Sequence, residues 1–313
     1  LYVSYDVISA AIVSSLTFSI DEHSMHVYAV DGRYIEPVLA DVITLTNGAR
    51  YSVLVKLDKP FGDYTIRVAN AGIGQIINGT AVLTYSQSLD LPEQQQQQQQ
   101  QQPSEPFIDI TGQLTSANYT LLDESKIIPY PSEDVSQDTI AQTHILTIKR
   151  NGKSYLWALG NTSFPLSLED ATPVLFSPST APDGLTIRTL NSTTIDLILH
   201  VSSPLQPPHP IHKHSNKFFV IGQGHGPWTY SSVAEAMKSI PENFNLVTPQ
   251  IRDTYATPPA ATGPTWLALR YRVVNPGAWL LHCHIQVHFS GGMALLVLDG
   301  VDEWPAVPEE YSC

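Results

Sequence analysis

The twelve residues His282-Cys-His-Ile-Gln-Val-His-Phe-Ser-Gly-Gly-Met293 constrain this chain more than any other stretch. Cys283 and His288 stand five apart, and Met293 lies five further on, across Gly291-Gly292. A thiolate, an imidazole and a thioether form a soft ligand set. One more imidazole completes the two His, one Cys and long, weak axial Met that hold copper in blue sites. Upstream, His209-Pro-Ile-His212-Lys-His214 offers that imidazole and two more.

The histidines flanking Cys283 point to more than an electron carrier. If 281–285 is a strand, successive side chains face opposite ways. His282 and His284 then look to one side while Cys283 looks to the other. One short strand could touch two metal centres, with the thiolate joined to both imidazoles through covalent backbone. That geometry suits an oxidase. Six of the eleven histidines fall into these two runs, which sets aside a scatter of structural histidines around one buried Cys. A zinc site is the better rival, but zinc has little use for a Met and would leave ligands over.

The paired runs resemble the third cupredoxin domain of the multicopper oxidases. With Asn275-Pro-Gly-Ala-Trp279 and Gly291-Gly-Met-Ala-Leu-Leu-Val-Leu-Asp-Gly300, they are similar to fungal laccases of the ascomycete pigment type. The resemblance runs over nearly the whole chain. It implies an all-β fold of tandem cupredoxin-like Greek-key β-sandwiches: the later part of a second domain over 1–86, a Gln/Pro-rich linker over 87–106, and a third domain over 107–313. It also implies that His209, Cys283, His288 and axial Met293 bind a mononuclear blue copper, the first three carrying the catalytic electron entry. His212 would bind one member of a trinuclear copper cluster, and His214, His282 and His284 its paired coppers. The implied activity takes single electrons from a phenol or pigment precursor and reduces dioxygen to water.

Departures from the pattern matter as much. The family carries two His-x-His pairs in its first domain, and no His-x-His occurs here outside the motifs already used. The resemblance therefore implies that an amino-terminal portion of the same protein supplies half of the cluster's histidines. Gln286 stands where relatives often have an acid near the oxygen-reducing cluster, and Gln cannot titrate. Val13 falls where an acid often receives the substrate's proton. His225, in Gly-Gln-Gly-His-Gly-Pro-Trp, is a loop candidate for the rim of a substrate pocket, against the commoner case of a loop residue with no such role. His23, His26, His144 and His200 have no ligand spacing and read as structural or solvent-facing. Two alternatives stand beside the laccase reading: a ferroxidase, for which acids next to His209 and His288 are lacking, and a non-catalytic copper-binding or electron-transfer fragment.

Composition narrows the partners. A net charge of -13 over 313 residues disfavours nucleic acid and anionic membranes as partners. No apolar run is long enough to span a bilayer. Sequons at Asn78, Asn118, Asn161 and Asn191 point to glycosylation and secretion. The chain opens at Leu1 without a signal peptide, so an upstream segment is expected to be missing or removed. Cys313 has no partner if Cys283 is a metal thiolate. A disulfide to the missing amino-terminal segment is expected for it, as domain-spanning bridges in the family suggest.

Short β-rich runs fill the rest. Tyr2–Ile8, Leu16–Ile20 and His26–Val30 read as strands. Asn47-Gly48 between Val42–Leu45 and Tyr51–Leu57 predicts a hairpin. Gln94–Gln102, between prolines, reads as a solvated linker. Trp157 and Leu159 are expected in a core, Val233–Lys238 as a short helix, and Trp266–Val274 as a strand, within antiparallel sandwiches.

Overall fold

Alternation of apolar and polar side chains builds the strands of the first unit, as in Arg50–Lys56, where Tyr51, Val53 and Val55 are wholly buried and their neighbours are not. The computed structural model describes residues 1–71, 77–86, 103–168 and 170–311. The glutamine run Gln94–Gln102 and Cys313 lie outside the described residues. The chain divides into two compact units, Leu1–Tyr130 and Pro131–Cys313.

Unit one contains β1 (Tyr2–Ile8), β2 (Leu16–Ile20), β3 (Met25–Val30), β4 (Arg33–Ala40), β5 (Val42–Leu45), β6 (Arg50–Lys56), β7 (Gly62–Asn70) and β8 (Asn78–Tyr85). They form two four-stranded sheets, ordered β1-β6-β3-β4 and β5-β2-β7-β8. Met25, Val27 and Tyr51 of one sheet meet Phe18, Ile20 and Ile43 of the other in a shared core.

The hairpin expected at Asn47-Gly48 does not form. β5 pairs with β2, while β6 lies between β1 and β3 in the opposite sheet. The turn is real: Ala49 N donates to Thr46 O at 3.0 Å, and Gly48 takes φ 84°. It carries the chain from one sheet to the other, because both segments bury a face in the same core. Buried Asn47 secures it by donating Nδ2 to Ala11 O at 2.8 Å.

Residues 107–130, expected in the ligand-bearing domain, belong to unit one. Phe107 and Ile108 pack on Val42 and Ala69, and Leu122 and Ile127 enter the unit-one core. The second unit starts at Pro131.

Unit two contains β9 (Ile140–Arg150), β10 (Trp157–Leu159), β11 (Thr186–Arg188), β12 (Thr194–Val201), β13 (Pro210–Lys213), β14 (Phe218–His225), β15 (Gln250–Arg252), β16 (Thr254–Ala256), β17 (Thr265–Arg272), β18 (Gly277–Cys283) and β19 (Ala294–Asp299). Two short helices, α1 (Val233–Ala236) and α2 (Gln286–Ser290), interrupt them. The sheets run β10-β9-β12-β17-β14-β15 and β11-β19-β18-β13-β16. Both are mixed rather than purely antiparallel, since β9 runs parallel to β12 and β11 to β19.

A network centred on a fully buried ion pair of the second sheet reaches across to the first. Lys213 Nζ donates to Asp299 Oδ2 at 2.8 Å, and neither side chain is exposed. Asp299 also accepts from Asn216 Nδ2, Thr189 Oγ1 and Tyr271 OH, each at 2.9 Å. Tyr271 comes from the opposite sheet, and its ring also faces the ammonium at 4.3 Å. Every lone pair on the carboxylate is used, which is the condition under which a buried charge survives. Lys213→Ala should therefore lower unfolding stability by about 3–5 kcal/mol. Urea titration checks this, and an unchanged midpoint would show that the network can re-form without the ammonium.

Candidate metal centre

Strand pairing sorts the candidate ligands onto two faces. β13 and β18 are antiparallel, with Ile211 opposite Cys283, His212 opposite His282 and Lys213 opposite Leu281. Directly opposed residues share a face. Cys283, Ile211 and Lys213 therefore look into the sandwich, while His212 and His282 look out of its other side. β18 ends at Cys283, two residues short of the expected strand, yet His284 N still donates to Pro210 O at 2.7 Å. The chain then winds through α2, which returns His288 toward Cys283. Only glycine fits the bend that follows: a Cβ on Gly291 would stand 2.2 Å from Tyr155 O, and Gly292 has φ +95°.

On the inner face, His209, Cys283 and His288 converge, all buried. The Nδ1 atoms of the two imidazoles are 3.2 Å apart, and Cys283 Sγ is 3.6 Å from His288 Nδ1 and 3.9 Å from His209 Nδ1. A three-coordinate ion at ~2.0–2.3 Å from each donor needs edges of about 3.5–3.7 Å, so the triangle is near the size of a metal site. Met293 is fully buried beside it. Its carbonyl accepts from Cys283 N at 3.1 Å, and its N–H donates to His288 O at 3.0 Å. Trp157 covers both rings, 4.2 Å from the His288 centroid and 5.4 Å from that of His209.

The outer face gathers His212, His214 and His282. His214 Nε2 and His282 Nε2 are 3.3 Å apart. A backbone carbonyl can only accept, so His282 Nδ1 donates to Cys283 O and His212 Nδ1 donates to Asp253 O, each at 2.9 Å. Both rings thus turn an unprotonated Nε2 outward, the form a metal binds. His284 stands beside this group, its ring 5.9 Å from His212 and 5.8 Å from His282.

Burial sets the protonation states. The His209 imidazole is pushed down to about 3 by desolvation, with the neighbouring His288 adding to it. His282 and His288 fall to about 4, chiefly through burial. The Cys283 thiol is pushed up to about 12 by complete burial. Neutral imidazoles are ready ligands. The thiol gives up its proton only to something that stabilises a buried thiolate, as a soft metal ion does.

Comparison with known proteins decides the family. Multicopper oxidase family models match residues 3–88 and 138–303. The chain belongs to the multicopper oxidase family. Membership implies copper as the metal, and the soft Cys/His donor set fits it. The chain is 44% identical to the laccase abr2 of Aspergillus fumigatus, covering 98% of this chain and 51% of that protein. It is 40% identical to the multicopper oxidase GIP1 of Gibberella zeae, covering 99% and 45%. Among solved structures, a laccase from Botrytis aclada superposes with TM-score 0.74 at 23% identity over 98% of this chain and 53% of that one. Fet3p, a multicopper oxidase that functions in iron import, gives 0.72 at 19% identity over 98% and 58%. These two show the cupredoxin-like fold. The chain spans about half the length of the curated relatives it matches.

Other candidate residues of this multicopper oxidase divide more sharply. Gln286 is exposed and donates Nε2 to Ser290 Oγ at 3.1 Å within its own helix. Val13 is half-buried in an apolar hollow of unit one with Ile12, Leu16 and Ile77. His225 ends a strand rather than lying in a loop, and is exposed. His23 is structural: its Nδ1 donates to Asp21 O at 2.7 Å, and its Nε2 meets Tyr85 OH at 2.6 Å. Sequence reasoning missed three contacts. Trp157, expected only as core, lies on both inner imidazoles. Gln206 Oε1 sits 3.0 Å from His209 Nε2, and Thr254 Oγ1 is 2.9 Å from His212 Nδ1. Gln206 stands three residues before His209, which was the one available signal.

The depressed imidazoles fix a pH dependence. Below the ordinary value of 6.5, the unfolded chain takes up protons that folded His209, His282 and His288 refuse. Stability of the metal-free protein should therefore be full above pH 6.5 and fall steadily toward pH 4. Urea midpoints measured across that window check it, and a flat profile would contradict the burial argument.

Proposed function

We propose that this chain forms part of a secreted, laccase-like copper oxidase that takes single electrons from phenolic or pigment-precursor substrates and reduces dioxygen to water. His209, Cys283, His288 and Met293 hold a mononuclear copper. His212 serves one member of a trinuclear cluster, and His214, His282 and His284 serve its paired coppers. Copper supplies reversible one-electron chemistry at these positions when bound.

The chain's own residues give that chemistry its direction. Cys283 is bonded through the backbone to His282 and His284, so its sulfur has a short covalent route to both outer imidazoles. Trp157 and the buried Met293 keep water from the inner site, and the half-buried His212 and His214 leave the outer site open to oxygen and protons. The observation that carries the reading is this back-to-back placement of two ligand clusters across one strand pair.

Four cluster ligands from this chain leave the cluster half-furnished, so an amino-terminal portion of the same protein supplies the rest. The span of about half of each relative supports this. Secretion and glycosylation are supported by the sequons. Asn78, Asn118 and Asn161 are exposed, and Asn191 is half-buried.

In the complete protein, Cys283→Ser should abolish the intense visible absorption of a copper thiolate while copper remains at the outer cluster. Absorption spectra with copper analysis check this, and a surviving blue colour would remove the central assignment. Oxygen uptake should follow addition of a phenol. Uptake with ferrous iron alone would move the activity to a ferroxidase, and full copper loading without uptake from either donor would leave a non-catalytic copper protein.

A further inference from the structure

His209 is buried with no solvent contact, and one of its two nitrogens must turn toward Cys283. Which nitrogen keeps the proton decides whether the ring can act as a ligand at all. The answer lies in the loop that precedes it.

Gln206 is itself buried and contacts His209 directly: Oε1 lies 3.0 Å from His209 Nε2. Its amide cannot be turned over without loss. On the other side, Gln206 Nε2 donates to Ser203 O at 3.3 Å and also meets Ser203 Oγ. A carbonyl oxygen only accepts, so the amide nitrogen must face Ser203 and the amide oxygen must face His209. That oxygen in turn only accepts. The proton of His209 is thereby held on Nε2, and the Nδ1 lone pair is aimed at Cys283 and His288.

The backbone keeps Gln206 in place. It bridges Ala260 in both directions, donating at 3.3 Å and accepting at 3.1 Å. Pro207 and Pro208 fill the whole distance to His209, and a following proline confines Gln206 to extended backbone. Just before it, Leu205 has φ 60°, a conformation that bulky side chains rarely adopt, and its side chain is 85% exposed. The chain accepts that turn where it delivers the amide to the imidazole.

We infer that Gln206 is a positioning residue of the inner copper site, holding the His209 imidazole in its Nε2-protonated form and orientation so that Nδ1 is the ligand atom. This rests on the reading of His209, Cys283 and His288 as a copper site. It goes beyond that reading in naming the group that selects the ligand atom.

The test uses the complete protein and two substitutions. Gln206→Met keeps the length and removes the acceptor, whereas Gln206→Glu keeps an acceptor at the same reach. Gln206→Met should weaken copper binding at the inner site roughly 10–100-fold, the usual cost of losing a ligand's hydrogen-bond partner. It should also shift the site's reduction potential. Gln206→Glu should retain the copper–thiolate absorption and bind within a few-fold of the native protein. Nitrogen-15 spectra of histidine-labelled, metal-free protein supply a readout independent of loading. His209 should be a single Nε2–H tautomer in the native protein and a mixture in Gln206→Met. Unchanged affinity, potential and tautomer in Gln206→Met would overturn the inference, as would equal losses in both variants. Absence of copper–thiolate absorption in the native protein would instead overturn the copper-site reading, and the tautomer spectra would still decide the role of Gln206.

Discussion

The antiparallel register of β13 against β18 is the constraint on which the rest of unit two depends. Because side chains alternate with a period of two, a slip of one residue would exchange the two faces. If β13 slipped, His212 would enter the core and Lys213 would leave it. Ile211 opposes the slip through its burial, and Lys213 opposes it through the bond to Asp299. A misregistered Lys213 would leave a buried carboxylate without its cation, which costs more than any single apolar contact could offset. A network built on the residue between two of the candidate ligands thus decides which way they face.

That division also explains how one strand serves two unlike environments. The inner face is dry: His209, Cys283 and Met293 have no exposed surface. The outer face is half-open at His212, His214 and His284. Burying polar ligands is costly unless each polar atom has a partner. The inner site meets that cost with Gln206 on His209 and, between Cys283 and the two imidazoles, with the mutual contacts a metal would replace. The outer site meets it with backbone carbonyls of Asp253 and Cys283. Carbonyls are fixed acceptors, so the rings they hold are fixed in both tautomer and direction.

How much of this was legible in the sequence depended on whether the deciding partner was local. The turning of Cys283 and His282 to opposite faces could be read, since strand alternation is a local rule, whereas the partners of each came from the family resemblance. Most strands could be read too, from their alternation. What required the folded chain was anything set by a distant neighbour. Asn47-Gly48 has the composition of a hairpin turn, but the core between the sheets sent its two flanking strands to different partners. Residues 107–130 follow the glutamine run and looked like the start of a new domain. Phe107, Ile108, Leu122 and Ile127 instead complete the core of the old one. Trp157 had the look of an ordinary core residue, and only the return of α2 set His288 against it. The parallel pairing of β9 with β12 left no local signature at all.

The same distinction bears on how the sites come into being. His209, Cys283 and His288 all lie in unit two, and its own strands and helix bring these donors together. The donors are then neutral and enclosed, so binding adds to stability without further rearrangement of the chain. The outer imidazoles are placed by the same strands but are not enclosed by them. The unprotonated nitrogens of His212 and His282 point away from the sheet, open to donors from elsewhere. On the proposed reading, the inner site is a product of this unit's own core, and the outer site is a product of assembly. Electron transfer between them is then built into the one peptide segment that both sites share, His282-Cys283-His284.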